Sequence, residues 1–224
     1  RITGIQTQQF NNKKISIVGT RKMTNYGKNF ITELIEGIAE FDTTIVSGLA
    51  YGCDIEAHSQ SLKNKVQTWS VMGTNFERIY PASHKKIANE MLQKGGWITE
   101  QPSFKAVVPE AFLQRNRIIA GLSDVTIVVE SAFKGGSLVT AKFANEYNRE
   151  VFALPGKTTD SLSVGCNYLI KSQQAYLIEN SKDIIEYFNF DIKKKPNQLD
   201  LFIEFSEEEK NIKESLDLDS LDYV

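Results

Sequence analysis

The chain has 224 residues, of which 41% are hydrophobic, and this is enough to bury one sizeable core. Its longest apolar runs have the length of β-strands and fall short of the ~20 residues that a membrane-spanning helix needs, so a transmembrane protein is excluded and no membrane partner is expected. The net charge of −2 is unevenly distributed: residues 200–224 hold nine acidic residues and two lysines, whereas residues 1–199 carry a net charge of +5, which permits a nucleic-acid ligand for the body of the chain.

Six short runs of β-branched, aromatic and aliphatic residues predict strands, at residues 14–18, 43–47, 66–72, 97–100, 124–130 and 151–154. Segments with apolar residues three and four positions apart, typical of amphipathic helices, lie between these runs. The alternation predicts an α/β fold with a mostly parallel sheet and helices on both faces. Ligands of such sheets bind at the carboxyl ends of the strands, so the loops that follow the strands are the candidate sites.

The predicted core domain covers residues 1–188. A linker is predicted at residues 189–205, where a run of lysines precedes a proline. Residues 206–224 form an acidic tail, in which the pattern predicts a short helix from Ser206 to Leu216 with glutamates near its start, where the helix dipole favours them.

The first loop, "GTRKMTNYG", follows the strand at 14–18. It is not a P-loop, because Lys22 stands where that motif needs its first glycine. It does place a cation, Arg21, beside the backbone amides of a strand-to-helix turn, where a guanidinium can hold a phosphate through two hydrogen bonds. A plain surface arginine at a helix start is the equally open alternative.

The second loop, "SGLAYGCD", follows the strand at 43–47. Gly48 and Gly52 allow the backbone to pass close to a neighbour, and we expect Asp54 to cap the helix that carries His58. No carboxylate or nucleophile is spaced to pair with His58, so a structural hydrogen bond is expected there rather than catalysis.

The motif "RNR" places Arg115, Asn116 and Arg117 in one turn of a predicted helix. Such arginines touch phosphates or pair with acidic neighbours inside the protein. The two arginines cannot share one helix face, so we expect them to have different roles.

The stretch "ESAFKGGSLVTAK" follows the strand at 124–130. Gly135 and Gly136 expose backbone amides, a helix begins near Ser137, and Lys142 lies within its first two turns, which together predict an anion site. The neighbouring aromatic residues Phe133 and Phe143 either belong to the core or stack on a nucleic-acid base.

Two cysteines, Cys53 and Cys166, are too few for a disulfide framework. No signal peptide is visible. A cytoplasmic protein with reduced thiols is therefore expected, and Cys53 is predicted to be a small buried filler.

Taken together, eight motifs resemble the DNA-processing protein A family, also called DprA or Smf, in order and spacing from about Ile15 to Ile185. They are "SIVGTRKMTNYG", "SGLAYGCDIEAH", "IYPASH", "ITEQP", "RNRIIAGLS", "VVES...GGSLVTA", "REVFALPG" and "GCNYLI". The chain departs from the family at Gly135, where serine is usual, and at Cys53 and Cys166. The resemblance does not extend to the N-terminal helical domain of many members, and the tail is expected to resemble the start of their C-terminal winged-helix module.

The resemblance implies an extended Rossmann-like domain that binds single-stranded DNA in a basic pocket. It implies a protein that protects incoming DNA and loads a RecA-type recombinase onto it in natural transformation, without catalysis, cofactor or metal. It also implies a homodimer formed through the later part of the domain, with the recombinase surface overlapping that interface. The phosphate-binding positions that it implies are Arg21, Ser47, Gly48, Arg115, Arg117, Gly135, Gly136, Ser137 and Lys142.

Two other classes of function compete with this one. Nucleotide phosphoribohydrolases of the lysine-decarboxylase-like family have a similar sheet and glycine loop, but they need a carboxylate as acid or base where this chain has Ala141 and Lys142. An interaction scaffold would use the glycine loop for tight packing only, and it would have no salt-sensitive ligand.

Overall fold

The computed structural model describes residues 1–6, 10–103 and 108–190. The strands are β1 (Ile2–Thr3), β2 (Lys13–Val18), β3 (Thr43–Ser47), β4 (Gln67–Met72), β5 (Gly95–Thr99), β6 (Val125–Val128), β7 (Glu150–Ala153) and β8 (Tyr176–Leu177). The α-helices are α1 (Asn25–Ile38), α2 (Cys53–Lys63), α3 (Lys85–Met91), α4 (Pro109–Leu122), α5 (Gly136–Glu146), α6 (Val164–Lys171) and α7 (Ser181–Tyr187).

The strands of these ranges form one sheet in the order β1-β5-β4-β3-β2-β6-β7-β8. Neighbouring strands are parallel, except that β1 runs antiparallel to β5. From β2, the chain adds β3, β4 and β5 on one side of the sheet and β6, β7 and β8 on the other. The carboxyl ends of β2, β3 and β6 therefore meet at one edge of the sheet. This is the point at which open parallel sheets bind ligands.

Helices cover both faces of the sheet, as the alternating pattern predicts. The apolar stripe of α1, with Ile31, Leu34 and Ile35 fully buried, packs with α2 and α7 on one face. The other face is covered by α4, α5 and α6 through residues such as Ile119 and Leu169. Because both faces are covered, every residue of β3 is buried, and the strand does not show the alternation of a half-exposed strand.

Two features of the sheet differ from the prediction. The edge strands β1 and β8 have two residues each, too few for any periodicity to indicate them. Strand β5 begins at Gly95, before the predicted start at Trp97, because Gly95 and Gly96 pack directly against the backbone of the neighbouring strands β4 and β1. Neighbouring backbone thus overrides the low strand propensity of glycine.

The packed body reaches Phe190, whose ring stacks on Phe41 with 4.7 Å between centroids. The predicted helix Ser206–Leu216 and the linker from residue 191 onward lie outside the described residues. Within the described ranges, no helix is long and apolar enough to cross a membrane.

Candidate nucleic-acid interface

A cavity of about 560 Å³ lies at the carboxyl ends of β2, β3 and β6. Its walls are the turns after these three strands, the inner side of α4 and the first residues of α5. Of the predicted phosphate-binding residues, those that line it are Arg21, Arg115, Gly135, Gly136 and Ser137. The cavity therefore joins the first loop, the "RNR" helix and the glycine loop, which are far apart in sequence.

Arg21 is an exposed cation on a turn that the structure holds in place. The amide of Thr20 donates to the Glu130 carbonyl oxygen at 2.7 Å, which ties the turn after β2 to the turn after β6. The side chain of Glu130 is buried and accepts hydrogen bonds from the amide of Thr24 at 2.8 Å and from its hydroxyl at 2.5 Å. Glu130 thus fixes the start of α1. Sequence reasoning missed this role, although a carboxylate at the end of an apolar strand needs such donors.

Arg115 lies beneath the cavity and is only 4% exposed. Its Nη1 donates to the carbonyl oxygen of Gly48 at 2.7 Å and to that of Val71, so it joins the ends of β3 and β4. Burial lowers the pKa of Arg115 to about 10, against the opposing effect of Asp54, and the group stays a cation at neutral pH. A Cβ on Gly48 would overlap the guanidinium, so a larger residue there would require the side chains of Arg115 and Asp54 to shift.

Asp54 interacts electrostatically with Arg115 and is not the predicted helix cap. The N-cap residue of α2 is Gly52, and Asp54 Oδ2 accepts instead from the amide of Ala50 at 3.3 Å. Burial raises the pKa of the Asp54 carboxyl, and Arg115 opposes that shift.

The hydroxyls of the two predicted serines already have protein partners. Ser47 Oγ donates to the Ile17 carbonyl oxygen at 2.6 Å, and Ser47 does not line the cavity. Ser137 Oγ donates to Ser131 Oγ at 2.8 Å. A ligand phosphate would therefore meet the amides at the start of α5, which have no partner within the helix, rather than these hydroxyls.

Arg117 and Lys142 lie outside the cavity lining. Arg117 pairs with Glu100, so the two arginines of the "RNR" motif have different surroundings, as their spacing predicts. Lys142 Nζ lies 3.7 Å from Glu146 on the exposed side of α5.

The two phenylalanines that sequence reasoning proposed for base stacking also lie outside the cavity lining. Phe133 is 58% exposed and contacts Tyr168 edge to face, whereas Phe143 packs against the core and stacks on Tyr147. The aromatic wall of the cavity consists of Tyr80 and Phe112, with 5.3 Å between ring centroids. Sequence reasoning did not identify Tyr80 as a site residue, although an aromatic residue in the polar loop "IYPASH" could have indicated it.

His58 and the two cysteines are buried, in surroundings that suit a structural role. His58 is buried, its Nδ1 lies 2.7 Å from Thr68 Oγ1, and burial lowers its pKa to about 3, so the ring is neutral. Burial raises the pKa of both thiols, that of Cys166 to about 12, which keeps Cys53 and Cys166 protonated. Among the residues that the structure describes, no group of three or more His, Cys, Asp or Glu side chains could hold a metal ion.

The family model and the curated relatives identify one family. The family model for DNA recombination-mediator protein A matches residues 4–189. The DNA processing protein DprA of Bacillus subtilis is 41% identical over 174 residues, which are 78% of this chain and 58% of that protein. The chain spans about half the length of the curated relatives that it matches.

Two solved structures have the same fold. DprA from Streptococcus pneumoniae superposes with a TM-score of 0.76 at 34% identity, covering 81% of this chain and 63% of that one. DprA from Helicobacter pylori, for which a single-stranded DNA binding mode is described, gives 0.76 at 31% identity and covers 84% and 85%. These matches confirm the Rossmann-like α/β fold, and with the family model they show that this chain belongs to the DNA recombination-mediator protein A (DprA) family.

Proposed function

We propose that this chain binds single-stranded DNA in the cavity at the carboxyl ends of β2, β3 and β6. The observation that carries the proposal is that one cavity combines an exposed cation, the start of a helix and an aromatic wall. Arg21 and the first amides of α5 suit phosphates, because a helix start attracts anions and a guanidinium binds them through two hydrogen bonds. The H. pylori relative supports the ligand class.

The phosphate contacts account for affinity without sequence preference. Backbone amides and Arg21 contact the phosphodiester chain, which is the same for every sequence. Each neutralised phosphate releases counterions, so affinity falls steeply as salt rises.

The aromatic wall accounts for a preference for single strands. Tyr80 and Phe112 line the side of the cavity formed by α4 and the loop after β4. The faces of bases are free to stack on such a wall only when they are not paired in a duplex. Phe133 is 58% exposed, and we keep it as a candidate for stacking on a base of the DNA outside the cavity.

The phosphoribohydrolase alternative finds no support at the cavity wall. Asp54 is the one carboxylate among the described residues that line it, and that carboxylate is buried between Arg115 and the amide of Ala50. It stands at the start of α2, just after β3, whereas the phosphoribohydrolases carry their carboxylate after the glycine loop, where this chain has Ala141 and Lys142. We therefore propose a binding protein rather than an enzyme.

We further propose that the protein acts as a cytoplasmic homodimer that protects incoming DNA and loads a RecA-type recombinase onto it. The strand β8 supports the dimer, since Tyr176 and Leu177 are 60% and 45% exposed on the last strand of the sheet that the described residues form. A dimer would hold two segments of one strand and raise its avidity.

The proposal is tested by fluorescence anisotropy of a labelled oligothymidylate at several salt concentrations, with duplex DNA as competitor. Arg21→Ala is expected to weaken binding about tenfold or more and to reduce the slope of log affinity against log salt by about one. Its melting temperature should be that of the wild type, because Arg21 is exposed.

Lys63→Ala is the matched control. The substitution removes one exposed cation, as Arg21→Ala does. Lys63 pairs with Glu36, is the last residue of α2 and does not line the cavity. Its affinity should stay close to that of the wild type. Failure of folded wild-type protein to bind the oligonucleotide at low salt would overturn the proposed function.

A further inference from the structure

A second cavity, of about 860 Å³, lies on the other side of the turn that carries Arg21. The first cavity is that of the proposed DNA site. Adjacent residues line the two, since Ser131 lines the first and Glu130 the second. In the same way, Thr20 lines the first cavity and Thr24 lines the second. The two cavities are therefore back to back at one edge of the sheet, separated by a single turn of backbone.

Glu130 holds both ends of this turn. Its carbonyl oxygen accepts from the amide of Thr20 at 2.7 Å, and its carboxylate accepts from the amide of Thr24 at 2.8 Å. The two ends of the turn are thus no farther apart than one glutamate and two hydrogen bonds can span. A DNA strand that leaves the first cavity can cross so narrow a wall within a few nucleotides.

The far wall of the second cavity is the loop after β7, which hydrogen bonds hold in place. The side-chain amide of Asn167 pairs with both backbone groups of Gly156, at 3.2 and 2.9 Å. The amide of Ser131 donates to the Leu162 carbonyl oxygen at 2.6 Å. Because this wall is already ordered, little conformational entropy is lost when a ligand enters.

The second cavity presents an aromatic ring and an unpaired cation. Tyr26 lines it and is 51% exposed, and its hydroxyl donates to the Pro155 carbonyl oxygen at 2.7 Å, which fixes the ring. Lys157 also lines the cavity, and Lys22 is exposed in the turn between the two cavities. The ion pairs found among the described residues include neither lysine. A ring and a cation in one cavity suit a nucleotide, whose base can stack while its phosphate is neutralised.

Two carboxylates line the second cavity as well, those of Glu130 and Asp160. Glu130 is only 3% exposed, and its carboxylate accepts from Thr24 at the start of α1, where the helix dipole offsets its charge. Asp160 is exposed in the same turn as Lys157, with its amide 3.0 Å from the Lys157 carbonyl oxygen. These carboxylates disfavour a simple anion. They favour a nucleotide, because bases carry N–H groups that can donate to a carboxylate.

We propose that the second cavity holds a later nucleotide of the strand bound in the first, with its base against Tyr26 and its phosphate on Lys157. The strand crosses the turn between the cavities, where Arg21 and Lys22 are exposed. The inference rests on the proposed function and extends it, because it gives the strand a direction out of the first cavity and a second point of attachment.

The test measures the affinity of Tyr26→Ala and Lys157→Ala for labelled oligothymidylates from about 3 to about 20 nucleotides long. The shortest strands fill the first cavity alone, so both variants should bind them like the wild type. Longer strands also reach the second cavity, where Tyr26→Ala should lose about fivefold or more, the value expected for one stacked base. Lys157→Ala should reduce the slope of log affinity against log salt by about one for these strands, because one phosphate contact is lost. Tyr26→Phe keeps the ring and should retain the affinity of the wild type.

Lys182→Ala is the matched control. Like Lys157, Lys182 is an exposed lysine outside the ion pairs of the described ranges, and it lines neither cavity. Its removal should leave the affinity and the salt slope unchanged for every length.

The outcomes separate this inference from the proposed function. If the wild type binds DNA and both Tyr26→Ala and Lys157→Ala match it at every length, the second-cavity inference is overturned and the proposed function stands. Losses that are equal at every length would assign both residues to the first site and would also overturn the inference. If the wild type binds no length, the proposed function itself fails.

Discussion

Arg115 is hydrogen-bonded to backbone carbonyl oxygens beside the proposed DNA site. Its guanidinium joins the ends of β3 and β4, while its Nε donates to Asn116 Oδ1 at 3.2 Å. Asn116 in turn donates to the Gly136 carbonyl oxygen at 3.3 Å. This chain of contacts connects the floor of the cavity to the glycine loop, so we interpret Arg115 as a positioning residue.

Arg115→Lys is expected to lower the free energy of unfolding by about 1–3 kcal/mol. A single ammonium group cannot reproduce the hydrogen bonds of the guanidinium to Gly48, Val71 and Asn116 simultaneously. The slope of log affinity against log salt should be that of the wild type, since no phosphate contact is lost. Denaturant titration and salt-dependent anisotropy measure the two effects. A reduced slope with unchanged stability would instead support the phosphate contact that the family resemblance implies for Arg115.

Gly136 offers the opposite test, a change that fills the cavity and spares the fold. A Cβ there would have no closer neighbour than Leu113 Cδ2 at 4.0 Å. Gly136→Leu should therefore weaken DNA binding about tenfold or more, while the melting temperature stays equal or rises slightly, because glycine is costly in a helix. Anisotropy and thermal melting would show this, and unchanged affinity would argue that DNA does not enter the cavity.

At the scale of elements, α2 is attached to the sheet through a buried neutral histidine. His58 of α2 contacts Thr68 of β4, and burial lowers its pKa from 6.5 to about 3. Between these pH values the unfolded chain binds a proton at this position and the folded chain does not. The stabilising effect of a neutral His58 is therefore complete above pH 6.5 and is lost progressively as the pH falls below it.

His58→Gln is expected to flatten the acid side of the stability curve. Relative to the wild type, the slope of unfolding free energy with pH between about 4 and 6 should fall by about 1.4 kcal/mol per pH unit, the contribution of one proton. Denaturant unfolding at a series of pH values measures it. Parallel curves for the two proteins would show that His58 is protonated to the same extent in both states.

The elements themselves were largely predictable from the sequence. The buried central strands were found because their apolar runs are long enough to stand out, and β3 has the predicted bounds. Strands β1 and β8 could not be found, since two residues carry no pattern and pairing partners alone define them. Strand β5 was predicted to begin too late because Gly95 and Gly96 carry no strand pattern and belong to the strand only through pairing with its neighbour β4.

At the scale of the whole molecule, the two edges of the sheet differ. The β1 edge strand exposes Ile2, and the β8 edge strand exposes Tyr176 and Leu177 beside α6, on which Tyr168 is also exposed. An open edge with a larger aromatic and aliphatic surface is the better candidate for self-association.

Leu177→Asp should therefore convert the proposed dimer to a monomer in analytical ultracentrifugation, because it places a charge in the interface. Affinity should fall for long strands and remain for short ones, since only the avidity is lost. Ile2→Asp makes the same change at the opposite edge and should preserve the dimer. A dimer that survives Leu177→Asp would place the interface elsewhere.

The sequence by itself determined the α/β fold, the family and the loops that form the site, because these depend on local periodicity and on short motifs. Only the tertiary structure decided which side chains of those motifs face the cavity. Arg115 turns inward to the carbonyl oxygens of β3 and β4, whereas Arg117 turns outward to Glu100. Tyr80 reaches the wall although its loop is distant in sequence from the glycine loop. Such placements depend on partners far along the chain, and spacing within a motif carries no information about them.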